Sequence, residues 1–565
     1  GRATYRSPLS RTRALPADRR RARPSCSMVA LATSMARTTQ LHRLLSTRAV
    51  ALAPTEAPNP LRGEAWLSGA RDGRWWTARQ PEAGTPGVDA DGRVRGLPAI
   101  DVRALSRQSL QAYLDNAAMV DDALFAGLHG EQSFLELAPH KLRKPQVFYY
   151  GHAAAFNVNK LLLGGLISES ERVNPAFEQL FEAGVDEHPH EKGWAKSQWP
   201  AVAEVLEYRK AVHRLVSRVI ARVGDEARGV AVDQTHPLWA LLMGIEHQRV
   251  HTETSSVLFR EMPLALLQPS AQLAPPHPSA ARACRTPTPE AGLDFPATEL
   301  LASAGGRAEL GRHGEPEFGW DLEYGLRAVE VAPFETGRCK VSNGDYFAFV
   351  QAGGYARRKD LWSEEGWAWR ELAGAQRPRF WCADGKLRLV FQEVEMQWDW
   401  PAVVNHHEAV AFCAWRSEAE ALSPARAFRP ASEAELALLR ARNAQAHLAA
   451  GEPYGTDGGL GAANRGLQWA SEQPVNAGRP AFETKHHDLL GNVWEHCVDE
   501  AAALEGYEPH KLYLEYSEPA FDGRHHMLVG GSFASSGGFA SARTRNYFRP
   551  HFLQHAGFRL ARSAA

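Results

Sequence analysis

The apolar pattern of this chain changes its period once, and that change constrains the fold more than any other feature. From about Ala104 to Pro263 apolar residues recur at helical spacing. "LSRQSLQAYLDNAAMVDDALFAGL" predicts a first helix with Ser106 as its N-cap. "GHAAAFNVNKLLLGGLI" predicts a second, more buried helix starting just after Gly151. "WPAVAEVLEYRKAVHRLVSRVIARV" and "HPLWALLMGIEHQRVHTETSSVLFREM" predict a third and a fourth. Four helices with polar connections indicate an antiparallel bundle, whose interior commonly houses metals. Past Leu267 the rhythm stops. Residues 267–299 are Pro/Ala-rich without periodicity and read as an interdomain linker. Beyond them short apolar runs alternate with Gly, Asn and Asp turns, and tryptophans recur, as in "FQEVEMQWDWP". That half reads as an irregular α+β domain. The expected division is 1–60, 61–266, 267–299 and 300–565.

Composition narrows the function classes. At 565 residues, with 44% hydrophobic and 23% charged residues, the chain can build two or three ordinary cores. A formal net charge of −1 gives no electrostatic footprint for nucleic acid or an anionic membrane surface. No apolar run reaches membrane-spanning length, so a soluble protein is expected. The six cysteines are scattered, without a CxxC pair, and read as reduced thiols. Residues 1–60 form an Arg/Ser/Ala-rich basic arm, read as disordered or as an organelle transit peptide. The expected location is therefore cytoplasmic, or organellar if the arm is a signal.

The stretch "GIEHQRVHTETSSV" places His247 and His251 four residues apart on the fourth helix. Positions i and i+4 share one helix face, so both imidazoles can meet one ion. Glu253 is rotated away and is expected to hold an imidazole by a hydrogen bond behind the ligands. The same HxxxH spacing also occurs on ordinary amphipathic helices. His152, opening an apolar helix in "YYGHAAAFNVNK", is the third candidate. Taken alone it reads as a core histidine, but a bundle can place the start of helix two beside the middle of helix four. Three nitrogen ligands with open positions suit zinc and a water-activating site. They suit ferrous iron and dioxygen equally, and the ligand types alone do not choose.

The blocks "FETGRCKVSNGDYFAFV", "HDLLGNVWEHCVDE", "VGGSFAS" and "QHAGFRLAR" resemble the formylglycine-generating-enzyme-like fold, a C-type-lectin-related α+β domain. Asn492, Trp494, Gly530 and Gly531 within them read as fold residues. No cysteine follows Cys497, which removes the late copper-binding cysteines of formylglycine enzymes. A DinB-like four-helix bundle carrying HxxxHxE ahead of that domain resembles the non-haem iron sulfoxide synthases of thiol-histidine biosynthesis. The nearest resemblance is to the ovothiol branch, the 5-histidylcysteine sulfoxide synthases. It rests on "YYGHAAAFNVNKL", "HPLWALLMGIEHQRVHTETSSVLFREMP", "FGWDLEYG" and "RNYFRPHFLQHAGFR", and spans about Trp66 to Arg562.

The resemblance implies that His152, His247 and His251 bind Fe(II), with L-cysteine, L-histidine and O2 as substrates. Sulfur would be joined to an imidazole carbon and left as a sulfoxide. It also implies an active-site tyrosine that directs oxygen toward the sulfoxide and away from cysteine dioxygenation. Tyr513 matches it, with Tyr516 and then Tyr507 as fallbacks. Arg545, Arg549 and His551 are candidates for substrate carboxylates, a task suited to guanidinium groups. Ergothioneine-branch enzymes hold trimethylhistidine (hercynine) with an Asn and an Asp, where Arg545 and Tyr547 stand here. That departure points to histidine or another substrate over trimethylhistidine. Methylation of the imidazole would fall to a separate methyltransferase. The pairs His406/His407, His486/His487 and His525/His526 read as surface or structural residues. A trimethylhistidine-specific synthase, a zinc-dependent DinB-like thiol transferase and a non-catalytic binding protein are the alternatives.

Overall fold

The computed structural model describes residues 64–136, 143–182, 199–223, 232–312, 314–357, 361–449 and 463–565. The basic arm at 1–60 lies outside them. The four anticipated helices are present: α1 (Arg107–Phe125), α2 (Gln146–Leu163), α3 (Val202–Val223) and α4 (Leu238–Glu261). Ser106 caps α1, accepting from the Ser109 amide, while Ser109 reaches back to the Ser106 amide. The structure corrects the start of α2. It begins at Gln146, behind Pro145 as N-cap, so His152 sits in its second turn. A proline is tolerated there because the first amides of a helix have no intrahelical acceptor.

The bundle is centred on α4, which is buried on almost every side and packs on α2 and α1. A charged network pins the preceding segment to the bundle. Arg209 pairs with Asp121 at 2.8 Å and Asp122 at 2.7 Å, and Thr77 and Trp75 donate to Asp122. Burial of a charged triad is tolerable because each group is paired and hydrogen-bonded.

The C-terminal part holds two four-stranded sheets. One has the order β1 (Leu300–Ser303), β2 (Phe334–Gly337), β8 (Leu560–Ser563), β3 (Arg429–Pro430). The other runs β6 (Arg545–Phe548), β5 (His526–Val529), β4 (Trp494–Glu500), β7 (Ala556–Gly557). The final strands thus close both sheets, which explains why "QHAGFRLAR" carries so much fold information. Arg559 in that block forms a fully buried pair with Glu495, 3.0 Å apart, and donates to four backbone carbonyls. Asn492 adopts a left-handed conformation (φ 65°) and is held by Asp488 and the Gln473 carbonyl, in keeping with a fold role. The tryptophans at 362, 367, 381, 398 and 400 form a shared core.

Residues 267–299 contain one four-residue helical turn (Pro278–Ala281) and are tied down along their length. The Gln268 amide donates to Gly127, Leu273 bridges to Val94, His277 is bonded to Ser471, and Phe295 joins the tryptophan core. The five described cysteines are unpaired thiols. Among the described residues no helix is long and apolar enough to cross a membrane.

Candidate metal centre

His152 from α2 and His247 and His251 from α4 converge. One ligand atom from each lies within 4.8 Å of the others. The Nε2 atoms of His247 and His251 are 3.1 Å apart, and the ring centroids of His152 lie 4.9 and 4.5 Å from theirs. The rings are fixed from outside the cluster. His247 stacks on Phe156 at 3.5 Å, and His152 stacks on Phe148 at 5.1 Å. The Nδ1 of His152 lies 2.5 Å from the Phe181 carbonyl. A carbonyl only accepts, so Nδ1 carries the proton and Nε2 faces inward with its lone pair. Gly151 permits that contact, since a Cβ there would sit 2.7 Å from the Phe181 ring.

Burial holds His247 well below the usual imidazole range, with His251, His152 and Lys160 adding to the effect. His251 is pushed down to about 3 by burial, aided by the charges of Arg143 and Lys144. Two neutral imidazoles whose Nε2 atoms face each other, and whose buried Nδ1 atoms have no hydrogen-bond partner among the described residues, are poor at solvating one another. They are suitable donors for a divalent cation, and the residues present fit one.

Residues 113–255 match the DinB superfamily, and residues 287–564 match the sulfatase-modifying factor enzyme 1-like domain. The chain joins a DinB-like domain to a sulfatase-modifying-factor-like domain. It is 33% identical to the hercynine oxygenase of Mycobacterium tuberculosis over 250 residues, covering 43% of this chain and 55% of that protein. It is 29% identical to the hercynine oxygenase of Mycolicibacterium thermoresistibile over 433 residues, covering 74% and 87%. Ergothioneine biosynthesis protein 1 of Neurospora crassa is 24% identical over 459 residues, covering 70% of this chain and 51% of that one. The chain therefore spans little more than half the length of the first of these relatives.

Other anticipated residues divide sharply. Tyr513, from the sulfatase-modifying-factor-like domain, reaches the histidines of the DinB-like domain. Its ring is 6.1 Å from His247 and 5.1 Å from Phe156. Tyr516 is half-buried against Trp320 at 4.4 Å, and Tyr507 donates to Asp321 at 3.1 Å. Glu253 departs from expectation. Its carboxylate accepts from Trp494 Nε1 at 2.7 Å, Ser532 Oγ at 2.5 Å and Ser535 Oγ at 2.6 Å. It clamps the two domains together and does not anchor an imidazole, because three donors from the other domain occupy its oxygens.

Arg545 also departs from expectation. Its guanidinium is bound by both oxygens of Glu433, at 2.6 and 3.1 Å, and by the carbonyls of Leu322 and Ala502. A buried arginine so fully paired is a structural element. Arg549 faces Asp522 at 4.0 Å. His551 stacks on Phe552 and lines a cleft of about 930 Å³ with Arg143, beside the C-terminal half of α4. The adjacent histidine pairs are mostly buried structural groups and not surface ones. His406 stacks on His526 at 3.8 Å and is bonded to the Cys497 carbonyl.

Lys160 was not anticipated, although His152, Phe156 and Lys160 share one helix face at i, i+4 and i+8. Its Nζ donates to the Leu512 carbonyl at 2.6 Å and lies 4.3 Å from the Tyr513 ring centroid. Burial pushes its pKa down to about 8. The folded lysine thus binds its proton less tightly than the unfolded one. The burden of that charge on the fold is present below pH 8 and is relieved as pH rises through 8 toward the unfolded value. The cation beside Tyr513 disappears over the same interval. In protein labelled with 13C-tyrosine, the Tyr513 ring resonance should titrate near pH 8, and Lys160→Met should abolish that step.

Proposed function

We propose that the chain is an iron(II)- and O2-dependent sulfoxide synthase that joins a cysteine-derived thiol to an imidazole carbon. The observation that supports it is the convergence of three histidines with a tyrosine delivered from the second domain. His152, His247 and His251 would hold the metal. When bound, Fe(II) would supply oxygen activation and a positive centre for the thiolate. Three neutral ligands leave that charge uncompensated, which favours an anionic sulfur over the thiol.

The chain's own residues supply position and dryness. Phe148 and Phe156 wall the imidazoles off from water. Tyr513 stands beside His247, with its ring held by Lys160 and Phe156. With the metal bound, the Tyr513 hydroxyl would be the group available to supply a proton at this centre. Arg143, whose charge acts on His251, and His551 line the neighbouring cleft and can orient substrate carboxylates. Holding both substrates at one centre turns a bimolecular coupling into a positioned one.

The curated relatives carry the hercynine name, which favours trimethylhistidine as the imidazole substrate. Histidine is the second reading and rests on the resemblance to the ovothiol branch, since Arg545 is taken up by Glu433 and Tyr547 by the Tyr516 carbonyl. Oxygen uptake should require Fe(II), a thiol substrate and one of these imidazoles together. Mass analysis of the product with each imidazole decides the branch. Turnover with zinc and no oxygen uptake would overturn the reading. Tyr513→Phe is expected to shift product from the sulfoxide toward cysteine sulfinic acid; an unchanged ratio excludes that role.

A further inference from the structure

The block "FGWDLEYG", Phe318–Gly325, packs against the loop that delivers Tyr513. Asp321 in that block is 4% exposed and accepts from both sides of the loop. Its Oδ2 accepts from the Tyr507 hydroxyl at 3.1 Å, before Tyr513 in the chain. Its Oδ1 accepts from Ser517 Oγ at 2.5 Å, after Tyr513, and from the Leu322 amide at 2.8 Å. The flanking residues grip the same loop. Trp320 packs on the Tyr516 ring, and Leu326 exchanges backbone hydrogen bonds with Glu505 at 2.9 and 3.2 Å. Gly325 admits that bridge, since at φ 98° a Cβ there would lie 2.7 Å from the Glu505 carbonyl oxygen.

Between Tyr507 and Ser517 the backbone forms turns, with no helix or strand to set its shape. The Tyr513 amide donates to the His510 carbonyl at 2.8 Å, so the aromatic side chain follows wherever that turn is held. Closing both ends of such a segment on one buried carboxylate removes much of its conformational freedom. We propose that Asp321 is a positioning residue, which fixes the loop through Tyr507 and Ser517 so that Tyr513 stands at His247. It acts through the loop and does not touch the reacting atoms. Its effect on the product rests on the reaction proposed above, whereas its hold on the loop does not.

Two variants cut the tether from opposite sides. Asp321→Ala removes the acceptor. Tyr507→Phe/Ser517→Ala removes both hydroxyls, keeps the carboxylate, and guards against misfolding of the first. In the metal-free full chain, the Tyr513 amide should exchange its hydrogen at least about tenfold faster in each variant, with α1–α4 protected as in wild type, because a loop that loses its anchors opens locally. After loading with Fe(II), both variants should shift product from the sulfoxide toward cysteine sulfinic acid, as Tyr513→Phe does, with iron content unchanged. On a Tyr513→Phe background, Tyr507→Phe/Ser517→Ala should change the ratio no further, since changes acting through one group are not additive. The proposal is overturned if Tyr513 exchanges at the wild-type rate in either variant, or if Tyr513→Phe shifts the product and neither variant does. A further shift on the Tyr513→Phe background overturns it too. If wild type forms no sulfoxide, or Tyr513→Phe leaves the product unchanged, the reaction reading fails and exchange at Tyr513 alone decides for or against the tether.

Discussion

Alanine at His247 or at His251 is expected to abolish stoichiometric iron binding. Each change removes one of only three nitrogen donors, and even groups that merely support a ligand are worth about 10–100-fold in affinity. Loss of a ligand itself should exceed that range. The measurement is metal content after anaerobic loading with Fe(II) and desalting, alongside a thermal melt. His247→Ala also removes the ring stacked on Phe156, so a modest fall in stability is expected with it. His251→Ala, whose ring is less tightly stacked, separates the two effects. Stoichiometric iron retained by a folded His251→Ala protein would rule the cluster out as the metal centre.

Much of this site was legible because it obeys helical periodicity. His247 and His251 lie one turn apart, and Ser106 before an apolar repeat fixes the register of α1. The misplaced start of α2 has a local cause: the aromatic run Phe148–Tyr150 hides the helical repeat, so the pattern becomes readable only after Gly151. Tyr513 was found through resemblance to known sequences, since 266 residues separate it from His247 and no spacing rule crosses two domains. Glu253 and Arg545 were misread for one shared reason. Both belong to types that bind ligands or metals, and both are used here to satisfy buried partners. Their partners come from strands and loops whose proximity is a product of the tertiary fold. Sequence reveals which groups need a partner but not which partner reaches them first.

Glu253→Ala should destabilise the fold strongly while leaving the histidines chemically intact. The substitution strands three buried donors, from Trp494, Ser532 and Ser535, in a site without water access. An unsatisfied buried donor costs about 1–3 kcal/mol, so the total loss should reach at least about 3 kcal/mol. Chemical denaturation reads this directly. Glu253→Gln keeps one acceptor oxygen, and the serine hydroxyls can rotate to accept from its amide, so it should lose less than half as much. The pair of variants also separates two roles for this residue. A carboxylate that anchored an imidazole would, on conversion to the amide, lower iron affinity about 10–100-fold. A clamp between domains predicts that Glu253→Gln binds iron as tightly as wild type and unfolds at lower denaturant. Weakened iron binding with unchanged stability would return Glu253 to the metal centre.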